Sequence, residues 1–114
     1  MPTPSKEEVF AASESFGVDA QALVGALVID VRRAPAYERA NVMIPHARWC
    51  DPAQVEQWAQ ELPADSPVVV YCVYGHEVSR STVLQLRAAG IEARFLQGGI
   101  DAWQQAGRPV VPKP

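Results

Sequence analysis

Strand alternating with helix predicts an α/β domain with a central, mainly parallel sheet of about four or five strands and helices on both faces. Two runs carry the strand assignment. PVVVYC (67–72) is continuous and apolar, as a strand covered on both sides must be, and ALVIDV (26–31) is a shorter run of the same kind. A third observation is the helical spacing of Val55, Trp58, Ala59 and Leu62 between them. At 114 residues the chain fits one domain over 1–114, with a core at about 19–107 and a Pro-rich tail at 107–114.

The elements follow in order. Ser5 and Glu8 have the spacing of a capping box, so a short helix starts there and Gly17 ends it. Residues 19–24 suit a further helical turn closed by Gly25, and 26–31 the first strand. Residues 33–41 read as a loop or a short helix interrupted by Pro35. Pro45 and Pro52 bracket a short extended piece around Trp49. Residues 52–62 form a helix, with Pro52 in its first turn and Pro63 as its stop. The strand at 67–72 leads into a helix at 78–89, with Val83, Leu86 and Ala89 toward the core and Arg80, Gln85 and Arg87 outward. Gly90 ends that helix, IEARFL (91–96) makes the last core strand, and a final helix lies near 100–106. The tail is extended.

Composition narrows the function classes. Hydrophobic residues at 48% and charged residues at 20% describe an ordinary packed domain, not a disordered one. A net charge of −3 with acids and bases mixed offers no basic face for nucleic acid. The apolar runs are strand-sized, so no membrane span is expected. The N-terminus lacks a charged segment followed by an apolar stretch, so a cytoplasmic, reducing setting is expected. Two cysteines, Cys50 and Cys72, do not make a disulfide framework.

Cys72 sits where an α/β sheet binds ligands, at the carboxyl end of its strongest strand. A helix starts a few residues later. The first N–H groups of a helix lack intrahelical partners and carry partial positive charge, which favours a thiolate. Gly75 permits a left-handed backbone, so successive N–H groups can converge as an anion nest. A negatively charged sulfur attached to Cys72 would suit such a nest.

The loop Cys72-Val73-Tyr74-Gly75-His76-Glu77 resembles the active-site loop of the rhodanese superfamily. LVIDVR (27–32) resembles that family's first signature, Tyr37 and IPHA (44–47) its aromatic position and Ile-Pro-Gly-Ala turn, and LQGGIDAW (96–103) its C-terminal signature. The resemblance covers about 19–107. It implies sulfur transfer. Cys72 would take sulfane sulfur from a donor, hold it as a persulfide and yield it to a thiol, cyanide or a protein acceptor. The loop residues Val73, Tyr74, Gly75, His76, Glu77 and Val78 would bind the substrate, Asp30 and Arg32 would support the scaffold, and Trp103 would pack beneath the sheet. Neither cofactor nor metal is implied, and a homodimer is allowed though no residue shows one.

Two departures from the family stand out. His46 replaces the turn glycine. The loop has no permanent cation, and Glu77 opposes an anion, so a thiol persulfide is expected to be a better donor than thiosulfate.

Each residue also has a plainer reading. Cys72 could be a buried strand-end thiol, and Cys50 reads as core more readily than as a resolving thiol. His76 could tune Cys72 or simply be solvated, and Glu77 complements the helix dipole. Arg80 and Arg87 read as a solvated helix face, though Arg80 could reach back to a donor. Three rival functions follow. A catalytically idle binding or sensing module would have the same fold. A cysteine phosphatase needs an arginine six positions after the cysteine, where this chain has Val78. A zinc protein could use His46, Cys50, Cys72 and His76. No Cys-x-x-Cys pair supports a thiol oxidoreductase.

Overall fold

The computed structural model describes residues 4–63 and 65–114, so residues 1–3 and 64 of the expected 1–114 span lie outside the described residues. The helices are α1 (Lys6–Ser13), α2 (Ala34–Arg39), α3 (Val55–Trp58), α4 (Glu77–Ala88) and α5 (Gly99–Gln105). The strands are β1 (Gly17–Val18), β2 (Leu27–Asp30), β3 (Val42–Met43), β4 (Arg48–Trp49), β5 (Val68–Tyr71), β6 (Ala93–Leu96) and β7 (Val111–Pro112). Five strands form one parallel sheet in the order β1-β6-β5-β2-β4, while β3 and β7 make a small antiparallel pair. The class is α/β with a mainly parallel sheet, as the alternation of elements predicts.

β5 is the central strand and all four of its residues are buried. Alternate side chains feed two cores. Ile29, Val68, Val70, Ala93 and Phe95 pack with Val55, Trp58, Val83 and Leu86 on the α3–α4 face. Val28, Val69, Tyr71 and Leu96 pack with Ile44 and Ile100 on the other face, where Trp103 covers them as the resemblance implied. The unbroken apolar run of β5 follows from this double coverage.

Several local readings change. Ser5 and Glu8 do form the capping box of α1. Gly17, however, opens a two-residue edge strand beside β6, too short to leave a periodic signal. Pro35 does not interrupt α2; it occupies the first turn, where its missing N–H costs nothing. The 52–62 segment has only one α-helical turn, flanked by 3₁₀ turns at Pro52–Gln54 and Ala59–Glu61. The tail is not merely extended, since Val111 pairs with Met43 and Pro112 with Val42.

α4 forms within a residue of the expected 78–89, with Val83 and Leu86 buried as expected, but other side chains on it are placed differently. It starts at Glu77, and its buried face is Ser79, Thr82, Val83 and Leu86. Ala89 is exposed because the helix has ended before it. Arg80 and Arg87 are not a solvated face. Arg87 Nε donates to the Ala93 carbonyl at 2.7 Å, and its guanidinium lies 3.6 Å from the centroid of the Phe16 ring. Arg80 turns toward α1 and the Cys72 loop. Long cationic side chains can cover apolar surface while their heads find carbonyls, which spacing alone does not reveal.

Candidate active site

β2 and β5 are parallel neighbours, so their carboxyl ends lie together and Arg32–Arg33 comes beside Cys72. The loop at 72–77 follows β5, the fourth strand of the main sheet in chain order.

Beneath the loop lies a buried polar cluster. Arg32 Nη2 meets Asp30 Oδ2 at 2.6 Å, and Arg32 Nε contacts both carboxylate oxygens at 3.0 Å. Tyr71 Oη donates to Asp30 Oδ2 at 3.0 Å and accepts from the Ile44 amide at 3.2 Å. Arg32 also donates to the Val42 carbonyl at 3.1 Å, and its own carbonyl accepts from Trp49 Nε1 at 2.9 Å. Burial disfavours the charge on Arg32, but the hydrogen bonds and charge of Asp30 outweigh it and hold its pKa above the ordinary guanidinium value. Burial first, and the Asp30 charge second, push the Tyr71 phenol well above its usual range. Asp30 and Arg32 thus fix the end of β2, the β3 strand and the ring of Tyr71, the residue next to Cys72.

The loop itself is held from two sides. The amides of Ile100 and Asp101 donate to the carbonyls of Cys72 and Val73 at 3.0 and 2.9 Å, and Arg80 Nε donates to the Gly75 carbonyl at 3.2 Å. In a trans peptide the N–H points opposite the carbonyl. Pinning the Cys72 and Val73 carbonyls to α5 therefore turns the amides of Val73 and Tyr74 away from it, and the Arg80 bond does the same for His76. Among the described residues, nothing accepts a hydrogen bond from the amides of residues 73–79. Seven successive donors are left for a ligand or solvent.

Glycine makes this packing possible. Gly75 has φ +71°, and a Cβ there would stand 2.7 Å from the Gly98 nitrogen. Gly99 has φ +60°, and its Cβ would stand 2.4 Å from the carbonyl oxygens of both Cys72 and Val73. The paired glycines of 96–103 are thus the surface against which the loop seats.

Cys72 is 5% exposed and lines a cavity of about 290 Å³. Its Sγ lies 3.2 Å from Ser79 Oγ, the thiol donating to the hydroxyl. With a thiolate, the same hydroxyl can rotate and donate to sulfur. Val73, Tyr74, His76, Glu77 and Val78 line the cavity, joined by Lys6, Arg32, Arg33 and Ala36. His76 is exposed, with its ring near those of Phe10 and Tyr74. Glu77 is exposed in the first turn of α4. A groove of about 400 Å³ adjoins and shares Arg33, Glu77 and Val78.

Sequence reasoning did not single out Ser79, Lys6 or Arg33. Ser79 had a readable signal: a hydroxyl in the first turn of the helix that follows the cysteine. Lys6 and Arg33 had none, because only the tertiary fold brings them to the cavity.

The rivals can be set against this geometry. Arg80 is engaged with the Gly75 carbonyl and α1, and does not line the cavity, so it cannot act as the arginine of a phosphatase. His46 lines a separate cleft near Trp103, and among the described residues no three His, Cys, Asp or Glu side chains gather as metal ligands. Cys50 is buried in the α3–α4 core, where burial raises its thiol pKa.

Comparison with known proteins decides the lineage. Residues 17–106 match the family described as the rhodanese-like domain. The chain belongs to this family. It is 32% identical over 81 residues to the thiosulfate sulfurtransferase GlpE of Pseudomonas fluorescens (strain SBW25), covering 70% of this chain and 72% of that protein. It is 33% identical over 85 residues to a sulfurtransferase of Allochromatium vinosum, covering 75% and 78%. Among solved structures, a rhodanese-related protein of Thermoplasma volcanium superimposes with a TM-score of 0.70 at 24% identity, covering 80% of this chain and 88% of that one. That last likeness is one of fold. Helix α1 precedes the matched segment, so this rhodanese-like domain has a helix against its cysteine loop that the family match does not include.

Proposed function

We propose that this rhodanese-like protein is a sulfurtransferase that carries sulfane sulfur as a persulfide on Cys72. The observation that carries the reading is the cavity at Cys72, closed by a loop whose successive amides lack partners among the described residues. The sulfurtransferase names of the relatives support it.

The chemistry needs no external oxidant. The Cys72 thiolate attacks the outer sulfur of a thiol persulfide, forming a Cys72 S–S bond. The donor S–S bond breaks, and its electron pair leaves with the donor as a thiolate that takes up the proton. With thiosulfate the leaving group is sulfite. An acceptor, cyanide or a thiolate, then attacks the outer sulfur, and the electron pair returns to Cys72 as thiolate. Between the two steps the outer sulfur carries negative charge. The amides of 73–79 would stabilise it, as oriented donors do for other anions, and the Ser79 hydroxyl would donate to the attacking sulfur. Tyr74 and His76 would form the wall, and Asp30 and Arg32 would hold the frame.

The composition of the loop alone does not decide the donor, because Lys6 and Arg33 bring positive charge from other elements. The test is cyanide-dependent thiocyanate release with thiosulfate and with glutathione persulfide as donors. Turnover with at least one donor, abolished in Cys72→Ser, is the expected result. Turnover that survives Cys72→Ser would refute the Cys72 carrier, and no turnover with either donor would favour an idle module.

A further inference from the structure

We propose that Lys6 and Arg33 form an anion-steering pair at the mouth of the Cys72 cavity and set its preference for anionic sulfur donors. This rests on reading Cys72 as the sulfur carrier and deepens it by assigning residues outside the loop to substrate choice.

The permanent charge within the loop is Glu77, which repels an anion. The same cavity is lined by Lys6, Arg32 and Arg33. The charge of Arg32 is answered by Asp30 at 2.6 Å. Lys6 and Arg33 have no carboxylate within ion-pair distance among the described residues. Among the side chains that line the cavity, these two cations therefore stand against one Glu77, so its lining is net positive on a chain whose net charge is −3, although the adjoining groove that shares Arg33 also carries Asp51. Local fields of this kind, not the net charge, govern the encounter with a small ion.

Lys6 is placed there by a chain of contacts. The capping box of Ser5 and Glu8 fixes the start of α1, immediately before Lys6. Arg80 then ties α1 to the cysteine loop. Its Nη1 donates to the Phe10 carbonyl at 3.4 Å and to Ser13 Oγ at 3.3 Å, while its Nε holds the Gly75 carbonyl. Its guanidinium lies 4.2 Å from the Phe10 ring centroid and 4.5 Å from that of Phe95. Arg80 is therefore a positioning residue, and α1, outside the family segment, is the arm that delivers a cation to the site. The ligand chemistry is an anion bearing sulfane sulfur, either an inorganic oxyanion such as thiosulfate or a carboxylated thiol persulfide.

The first readout does not require sulfur transfer. Alkylation of Cys72, followed by peptide mass, is compared for iodoacetate, an anion, and iodoacetamide, which is neutral. In Lys6→Gln and in Arg33→Gln the iodoacetate-to-iodoacetamide rate ratio should fall about three-fold, and in Lys6→Glu further, as for removal of one nearby solvated charge. Raising salt should shrink the difference. The second readout is kcat/KM for thiosulfate and for glutathione persulfide. A fall for both assigns the pair to anionic donors in general, and a fall for one identifies the source it serves. A rate ratio unchanged in all three variants overturns the proposal. A shifted ratio with no sulfur ever carried by Cys72 would uphold the steering and refute the carrier role, so the two failures are separable.

Discussion

Cys72 and Cys50 are both buried thiols, 5% and 7% exposed, and they differ in whether a cavity reaches them. Cys72 lines a cavity beside Ser79 Oγ, whereas Cys50 is packed among Val31, Val55 and Trp58, where burial raises its pKa. At neutral pH, iodoacetamide should label Cys72 well before Cys50 in the folded protein; equal labelling would mean that Cys50 is not enclosed. The raised pKa also has a stability consequence. Folded Cys50 keeps its proton where the unfolded thiol, near pH ~8.5, loses it. This contribution is full below that pH and is lost as pH rises toward the folded value. Cys50→Ala should therefore flatten the alkaline loss of stability, measured by denaturant titration across pH. At the loop, Gly99→Ala sets a Cβ against two carbonyl oxygens at a φ of +60°. It should cost about 2 kcal/mol or more of stability and disorder the cysteine loop, seen as faster amide exchange over 73–79.

Among the elements, the strand–loop–helix passage from β5 to α4 was the most legible, because burial on both faces leaves an uninterrupted apolar run and a helix start announces its own unpaired amides. The two-residue strands β1, β3, β4 and β7 were not legible as strands, since nothing periodic can be written in two residues. Arg80 and Arg87 misled for a related reason. Charge at a helical position implies solvent unless a carbonyl and an aromatic ring from distant segments are there to receive it, and those partners are visible only in three dimensions. Arg80→Met keeps much of the apolar stem but drops three hydrogen bonds to the loop and α1. It should lower stability by about 1–2 kcal/mol and raise amide exchange in α1 and in 73–79 together. Loss of protection in only one of the two would show that Arg80 does not couple them. Asp30→Asn leaves Arg32 buried with its carboxylate removed, and a loss of about 3–5 kcal/mol in chemical denaturation is expected.

Over the whole molecule, both faces of the sheet are covered and no helix among the described residues is long and apolar enough to cross a membrane. The carboxyl ends of β2 and β5 gather Arg32, Arg33 and Cys72, and α1 closes over the same end from outside the matched family segment. The place of the candidate site was chosen from topology, because parallel α/β sheets bind ligands at that end. The charge of its mouth was not legible, because Lys6 and Arg33 are remote in sequence from the loop they serve. The central claim is that this end of the sheet stabilises a sulfur atom bonded to Cys72. Its most direct measurement is the peptide-resolved mass of the protein after incubation with glutathione persulfide, before and after cyanide. One added sulfur on the Cys72 peptide, none on the Cys50 peptide, and its release as thiocyanate is the predicted result. An unmodified Cys72 peptide, with or without sulfur elsewhere, would contradict it.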